Sequence, residues 1–106
     1  MADSLLVLST VPDEKRGAEI ARSLVEERLA ACVTVSGACL SAYWWKGTIA
    51  QEREFVLLIK TKASLFKELE ARIKALHPYS VPEIVALPIG PGSEDYLNWL
   101  DGETKD

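Results

Sequence analysis

Positive charge is in short supply in this chain: 12 Lys and Arg stand against 16 Asp and Glu, giving a formal net charge of -4. With a pI near 5.0 there is no basic field to draw nucleic acid or an anionic lipid surface, so both are excluded as expected partners. No apolar run approaches the ~20 residues that a membrane-spanning helix needs. Histidine occurs once, at His77, and cysteine twice, at Cys32 and Cys39, without the paired CxxC spacing of a zinc site. On a straight strand these two sulfurs lie ~23 Å apart on opposite faces, so they are expected to be buried free cysteines. There is no Gly-rich phosphate loop, no GxSxG elbow and no HExxH, and the sole histidine has no evident nucleophile beside it. The enzyme templates are therefore missing. The only asparagine is Asn98, near the end of the chain, which disfavours an acylphosphatase-like cradle of converging Asn and Arg.

What is present suits one compact domain. A chain of 106 residues, 48% hydrophobic and 26% charged, has the composition of a soluble globular protein. It is read as a single domain over residues 1–106 with an ordered core from about 5 to 100. The start MADSLLVLSTVPDE carries no basic segment and no small-residue cleavage pattern, so a cytoplasmic protein is expected.

The elements follow from periodicity. Leu5 to Leu8 is a short buried strand. Thr10 or Asp13 caps the helix after it, whose apolar stripe is read as Ala18, Ala21, Val25 and Leu29, flanked by Ile20 and Leu24. Cys32 to Trp45 reads as a long strand, bent or bulged at Gly37, and Glu54 to Thr61 as its hairpin partner. Ser64 is expected to cap a second amphipathic helix, which must stop near His77 because the residue before a proline is pushed out of the helical region. Val81 to Ile89 is read as a last strand, Ser93 to Asp95 opens a closing helix, and the tail DGETKD is expected to fray. The order β-α-β-β-α-β plus a terminal helix predicts an α+β, ferredoxin-like fold with an antiparallel sheet. Leu57, Ile59, Ile84 and Ala86 alternate with Val56, Leu58, Val85 and Leu87 in strands apolar on both sides. Helices cover one face, so the other predicts an oligomer built face to face.

The residues that could carry chemistry cluster in two places. LHPYSVPEIVALPIGPG, Leu76 to Gly92, holds the histidine and four of the five prolines. It reads as a rigid joint, and also as a ligand site: His77 and Glu83 are the candidate metal ligands, and Tyr79 a candidate ligand contact. Tyr43-Trp44-Trp45 at the hairpin tip is a dense aromatic block that suits subunit packing or, through Tyr43 and Trp45, ligand stacking.

Taken together, STVPDE, LVEERLAACV, YWWKGTI, IKT, LHPYSVPEIVALPI and DYLNWL resemble, in this order and spacing, the CutA family of divalent-cation tolerance proteins. The match covers roughly residues 5 to 100. The resemblance implies a ferredoxin-like subunit in a tight homotrimer, no enzymatic activity, and binding of divalent cations, copper especially, in a response to metal ions. Some family members have a Cys at the position of Ser9 and two successive histidines where this chain has Leu76-His77. Of these ligands the resemblance leaves His77, and a trimer could converge three copies of it or place one beside Glu83 of a neighbouring subunit. A trimeric small-molecule sensor of the PII type shares the expected subunit fold, but its long loop between the second and third strands has no counterpart after Trp45.

Overall fold

The computed structural model describes residues 3–106. Strand β1 (Ser4–Val11) is followed by helix α1 (Glu14–Glu26), the hairpin β2 (Cys32–Trp45) and β3 (Thr48–Lys62), helix α2 (Phe66–Leu76), strand β4 (Val85–Pro88) and helix α3 (Glu94–Glu103). The sheet order β2-β3-β1-β4, with every pairing antiparallel, is the expected ferredoxin-like arrangement.

Alternation in β1 and β3 sends Val7, Val11, Leu57 and Ile59 to one face of the sheet. There they pack against Ile20 and Leu24 of α1 and Leu69 and Ile73 of α2. This is one core between a sheet and two helices, formed because both element types present a continuous apolar face. The Asp13 carboxylate accepts from the Arg16 amide at 2.7 Å and so caps α1. The buried face of this helix is Gly17, Ile20 and Leu24, so the residues read as flanking the stripe are the ones that pack; of the stripe itself Ala18 and Val25 are exposed and Ala21 half-buried, while Leu29, beyond the helix end, is in the core. Gly17 explains the rotation. A Cβ built there would lie 3.2 Å from methyl groups of Val11 and Val35, so the missing side chain lets the helix settle closely on the sheet.

Four boundaries differ from expectation. Strand β3 begins at Thr48, not Glu54, because Lys46 (φ 49°) and Gly47 (φ 84°) form a two-residue turn that lets the ladder run to the tip. Ser64 does not cap α2; it lies in a 3-10 turn, Ala63–Leu65, that leads into the helix without a side-chain cap. Strand β4 is confined to Val85–Pro88, since Pro82 and the residues around it pair with no strand among the described residues. The C-terminus is folded down, with Thr104 buried. The Lys105 amide donates to the Arg28 carbonyl at 3.0 Å, and Arg28 also holds Glu103.

The cysteines also depart from expectation. Cys32 is half-buried and Cys39 exposed. β2 is an edge strand, and Cys39 lies on the part of the hairpin that projects beyond the helices. Both thiols are free.

The side of the sheet opposite the core carries Leu6 and Leu8, Val56 and Leu58, and Val85 and Leu87. The β4 pair, at 49% and 47% exposure, is largely open to solvent. With the projecting hairpin, the subunit measures 44 × 26 × 23 Å.

Candidate functional site

The bulge in β2 decides what the hairpin displays. Val35 pairs with Leu57 and Ala38 with Phe55, so Ser36 and Gly37 together oppose Val56. The Ser36 hydroxyl supplies the missing ladder partner, accepting from the Val56 amide at 2.8 Å and donating to the Gly37 carbonyl. One extra residue flips the parity of everything beyond it. Ser41 and Tyr43 stand directly opposite Glu52 and Ala50, and Cys39 opposite Glu54, so the odd-numbered side chains of the arm share a face with Glu54 and Thr10. Without the bulge they would point the other way.

On that face, between the arm and the turn after α2, lies a cleft of about 680 Å3. Thr10, Ser41, Tyr43, Trp45, Glu54, Tyr79 and Glu83 are among its lining residues. At its inner end Glu54 is only 5% exposed. Its carboxylate accepts from the Tyr79 hydroxyl at 2.8 Å. Burial, and then the bond to the Glu54 carboxylate, push the Tyr79 phenol well above the ordinary tyrosine range, so its hydroxyl stays protonated and donating.

Tyr79 is aimed by His77. The helix breaks here because His77, before Pro78, takes extended angles (φ -82°, ψ 139°). Its Nδ1 accepts from the Tyr79 amide at 3.1 Å, and its Nε2 lies 2.6 Å from the Thr10 carbonyl. A carbonyl only accepts and an amide only donates, so the imidazole is neutral with its proton on Nε2. The His77 and Tyr79 rings also pack at 4.8 Å. Both nitrogens are thus occupied, and in this arrangement the ring has no lone pair left for a metal.

Four of the five residues singled out from the sequence come together: Tyr43, Trp45, Tyr79 and Glu83 all line the cleft. His77, 8% exposed, lies behind it and reaches it through Tyr79. Among the described residues no three His, Cys, Asp or Glu side chains converge as a metal cluster. Sequence reasoning passed over Glu54, the most deeply buried acid of the cleft. Its signal was a carboxylate opening the apolar run FVLLI, on the face of Val56 and Leu58.

The fold and the cleft define a small ferredoxin-like protein with an acidic, aromatic-walled site at the root of a long hairpin. Residues 5–103 match the family model described as CutA1 divalent ion tolerance protein, and the chain belongs to that family. It is 52% identical over 99 residues to the divalent-cation tolerance protein CutA of Thermus thermophilus, covering 93% of this chain and 96% of that one. It is 43% identical to protein CutA 1, chloroplastic, of Oryza sativa, of whose length it spans 58%. Among solved structures, CutA1 from Oryza sativa superposes with a TM-score of 0.97 at 42% identity, covering 99% of this chain and 96% of that one. The solved structure of the Thermus thermophilus protein gives 0.94 at 50% identity, with 96% and 99% covered.

Proposed function

We propose that this chain is a non-enzymatic, cytoplasmic divalent-cation-binding protein of the tolerance type, working as a homotrimer and taking copper(II) among its cations. The carrying observation is the acidic cleft: Glu54 and Glu83 line it, and among the described residues no Lys, Arg or His does. The family name of the relatives points the same way. The open apolar sheet face and the projecting hairpin support the oligomer. A trimer also favours a complete metal site, because one subunit brings two carboxylates and a histidine already committed to Thr10 and Tyr79. For His77 to ligate, Nδ1 must release the Tyr79 amide or Nε2 the Thr10 carbonyl. Glu83 needs no such change.

A copper(II) titration at neutral pH, followed by calorimetry against a competing chelator, tests this with the native protein, His77→Ala and Glu83→Gln. Tight binding to the native protein, lost in both variants, is the expected result. Weak binding indifferent to both substitutions would remove the metal role from this cleft.

A further inference from the structure

The closing helix is poorly made for the place where it ends. α3 has 10 residues, short of the ~12–15 below which an isolated helix is marginal in water. Its start is sound: Ser93 accepts from the Tyr96 amide at 3.4 Å, and Glu94 and Asp95 suit the positive end of the helix dipole. Its last turn is not. Gly102 weakens the helix there, no basic residue stands in that turn, and Asp101 and Glu103 add negative charge where the dipole is already negative.

The missing cations come from elsewhere in the chain. Lys62, the last residue of β3, is 5% exposed. Its Nζ lies 3.4 Å from the Asp101 and Thr104 carbonyls and 3.5 Å from the Asp101 carboxylate. The ammonium therefore caps α3 from outside, donating to carbonyls that a helix end leaves free. Thr104 is buried beside it, its hydroxyl 3.1 Å from the Leu100 and Asp101 carbonyls. A second layer lies nearer the surface. The Arg28 guanidinium donates to the Glu103 carboxylate at 2.7 Å and to the Glu103 carbonyl at 3.3 Å, and Lys105 pairs with Glu68 of α2. These outer pairs are about half exposed, so each holds weakly. The Lys62 ammonium is shielded from water, and its loss would leave buried carbonyls unpaired. Within the subunit, Leu100 is the buried side chain of α3. One apolar anchor and a set of charges make a segment that can detach without disturbing the core around Val7, Leu57 and Ile59.

We propose that α3 and the tail after it form a clasp that opens as one unit while the sheet, α1 and α2 stay folded, and that Lys62 sets how often it opens. Closed, the clasp hides the Lys62 ammonium and ties the ends of β1 and β3 to α1 and α2 through Arg28 and Lys105. Open, it bares that ammonium and releases Arg28. The contacts lie inside one subunit, at the end of β3 away from the hairpin tip, so the device needs neither the cleft nor its metal. It holds for a subunit alone or in an assembly.

Amide hydrogen exchange of the intact protein at neutral pH, followed by mass spectrometry, tests this by comparing peptides from α3 and the tail with peptides from β1 and β3. In the native protein the α3 amides should exchange faster than those of β1 and β3 by about tenfold or more. Lys62→Met, which keeps the length of the stem and removes the charge, should speed α3 by a further tenfold or so and leave β1 and β3 as they were. Lys62→Arg, which restores a donor cation, should bring the rate back toward the native one. Arg28→Gln, at an exposed position that does not threaten folding, should speed the tail by about threefold. Exchange of α3 in step with β1 and β3 in the native protein would overturn the proposal. So would α3 rates indifferent to Lys62→Met and Arg28→Gln, which would give the hold on α3 to a neighbouring subunit. Equal acceleration of α3, β1 and β3 in Lys62→Met would also overturn it, by showing that Lys62 supports the whole fold.

Discussion

A single hydroxyl holds the floor of the cleft together. Tyr79 donates to a carboxylate that is buried without another partner among the described residues, and it can do so because His77 fixes its backbone. Removing that donor in Tyr79→Phe leaves the carboxylate desolvated and unpaired, at a cost of about 1–3 kcal/mol in chemical unfolding. A variant of native stability would mean that Glu54 draws its support from solvent. The same contact sets a pH dependence. The folded chain holds the phenol proton more tightly than the unfolded one does, so this contribution to stability is fully present below the unfolded phenol value of about 10. It is lost as pH rises above that value toward the higher one of the folded state. Ultraviolet phenolate titration should show a late step that Tyr79→Phe removes. The neighbouring strand has a residue with the opposite problem: the Ser9 hydroxyl is fully buried with no partner among the described residues, a small cost the core bears between Val7 and Val11.

At the scale of the element, the hairpin carries the consequence of one added residue. Gly37 marked a bulge or bend already in the sequence, because glycine packs nothing inside a strand and permits unusual backbone angles. What the bulge does is visible only in the register, where it moves Ser41, Tyr43 and Trp45 to the face of Glu54. Deleting Gly37 should leave Ser36 alone opposite Val56 and so close the bulge without changing the pairs beyond it, Ala38 with Phe55 and Trp45 with Thr48. The near-ultraviolet circular dichroism of the aromatic block should then stay native. A changed aromatic signal would show that the arm slips its register when the bulge is lost.

The whole molecule leaves one face of its sheet uncovered. Val85 and Leu87 on the edge strand β4 are about half exposed there. Apolar surface of this kind, continuous with Leu6, Leu8, Val56 and Leu58, drives association when a second copy can meet it. Leu87→Asp places a charge in that face without touching the core. Light scattering at low protein concentration should then report a lower mass than for the native protein, with the helical and strand signals intact. A native mass in the variant would locate the subunit contact elsewhere, on the arm in the first instance.

The fold was largely legible in the chain, because apolar periods of two and of three to four residues state which faces must be buried, and Pro78 and Gly47 state where the chain must turn. Those are local signals. The aromatic and acidic residues of the site were also marked, since a YWW block and a Tyr and Glu among prolines stand out by composition alone. Other features depend on groups distant in sequence and were settled only by the tertiary structure. The face of α1 that packs followed from the close approach at Gly17, and the folded tail from Arg28 reaching Glu103. Glu54 became the centre of the cleft only once Tyr79, 25 residues away, was brought to it. The partners of His77 were also out of reach of the sequence, since the Thr10 carbonyl and the Tyr79 amide meet its two nitrogens only in the fold, and an imidazole's role is set by what its lone pair and its proton meet in space.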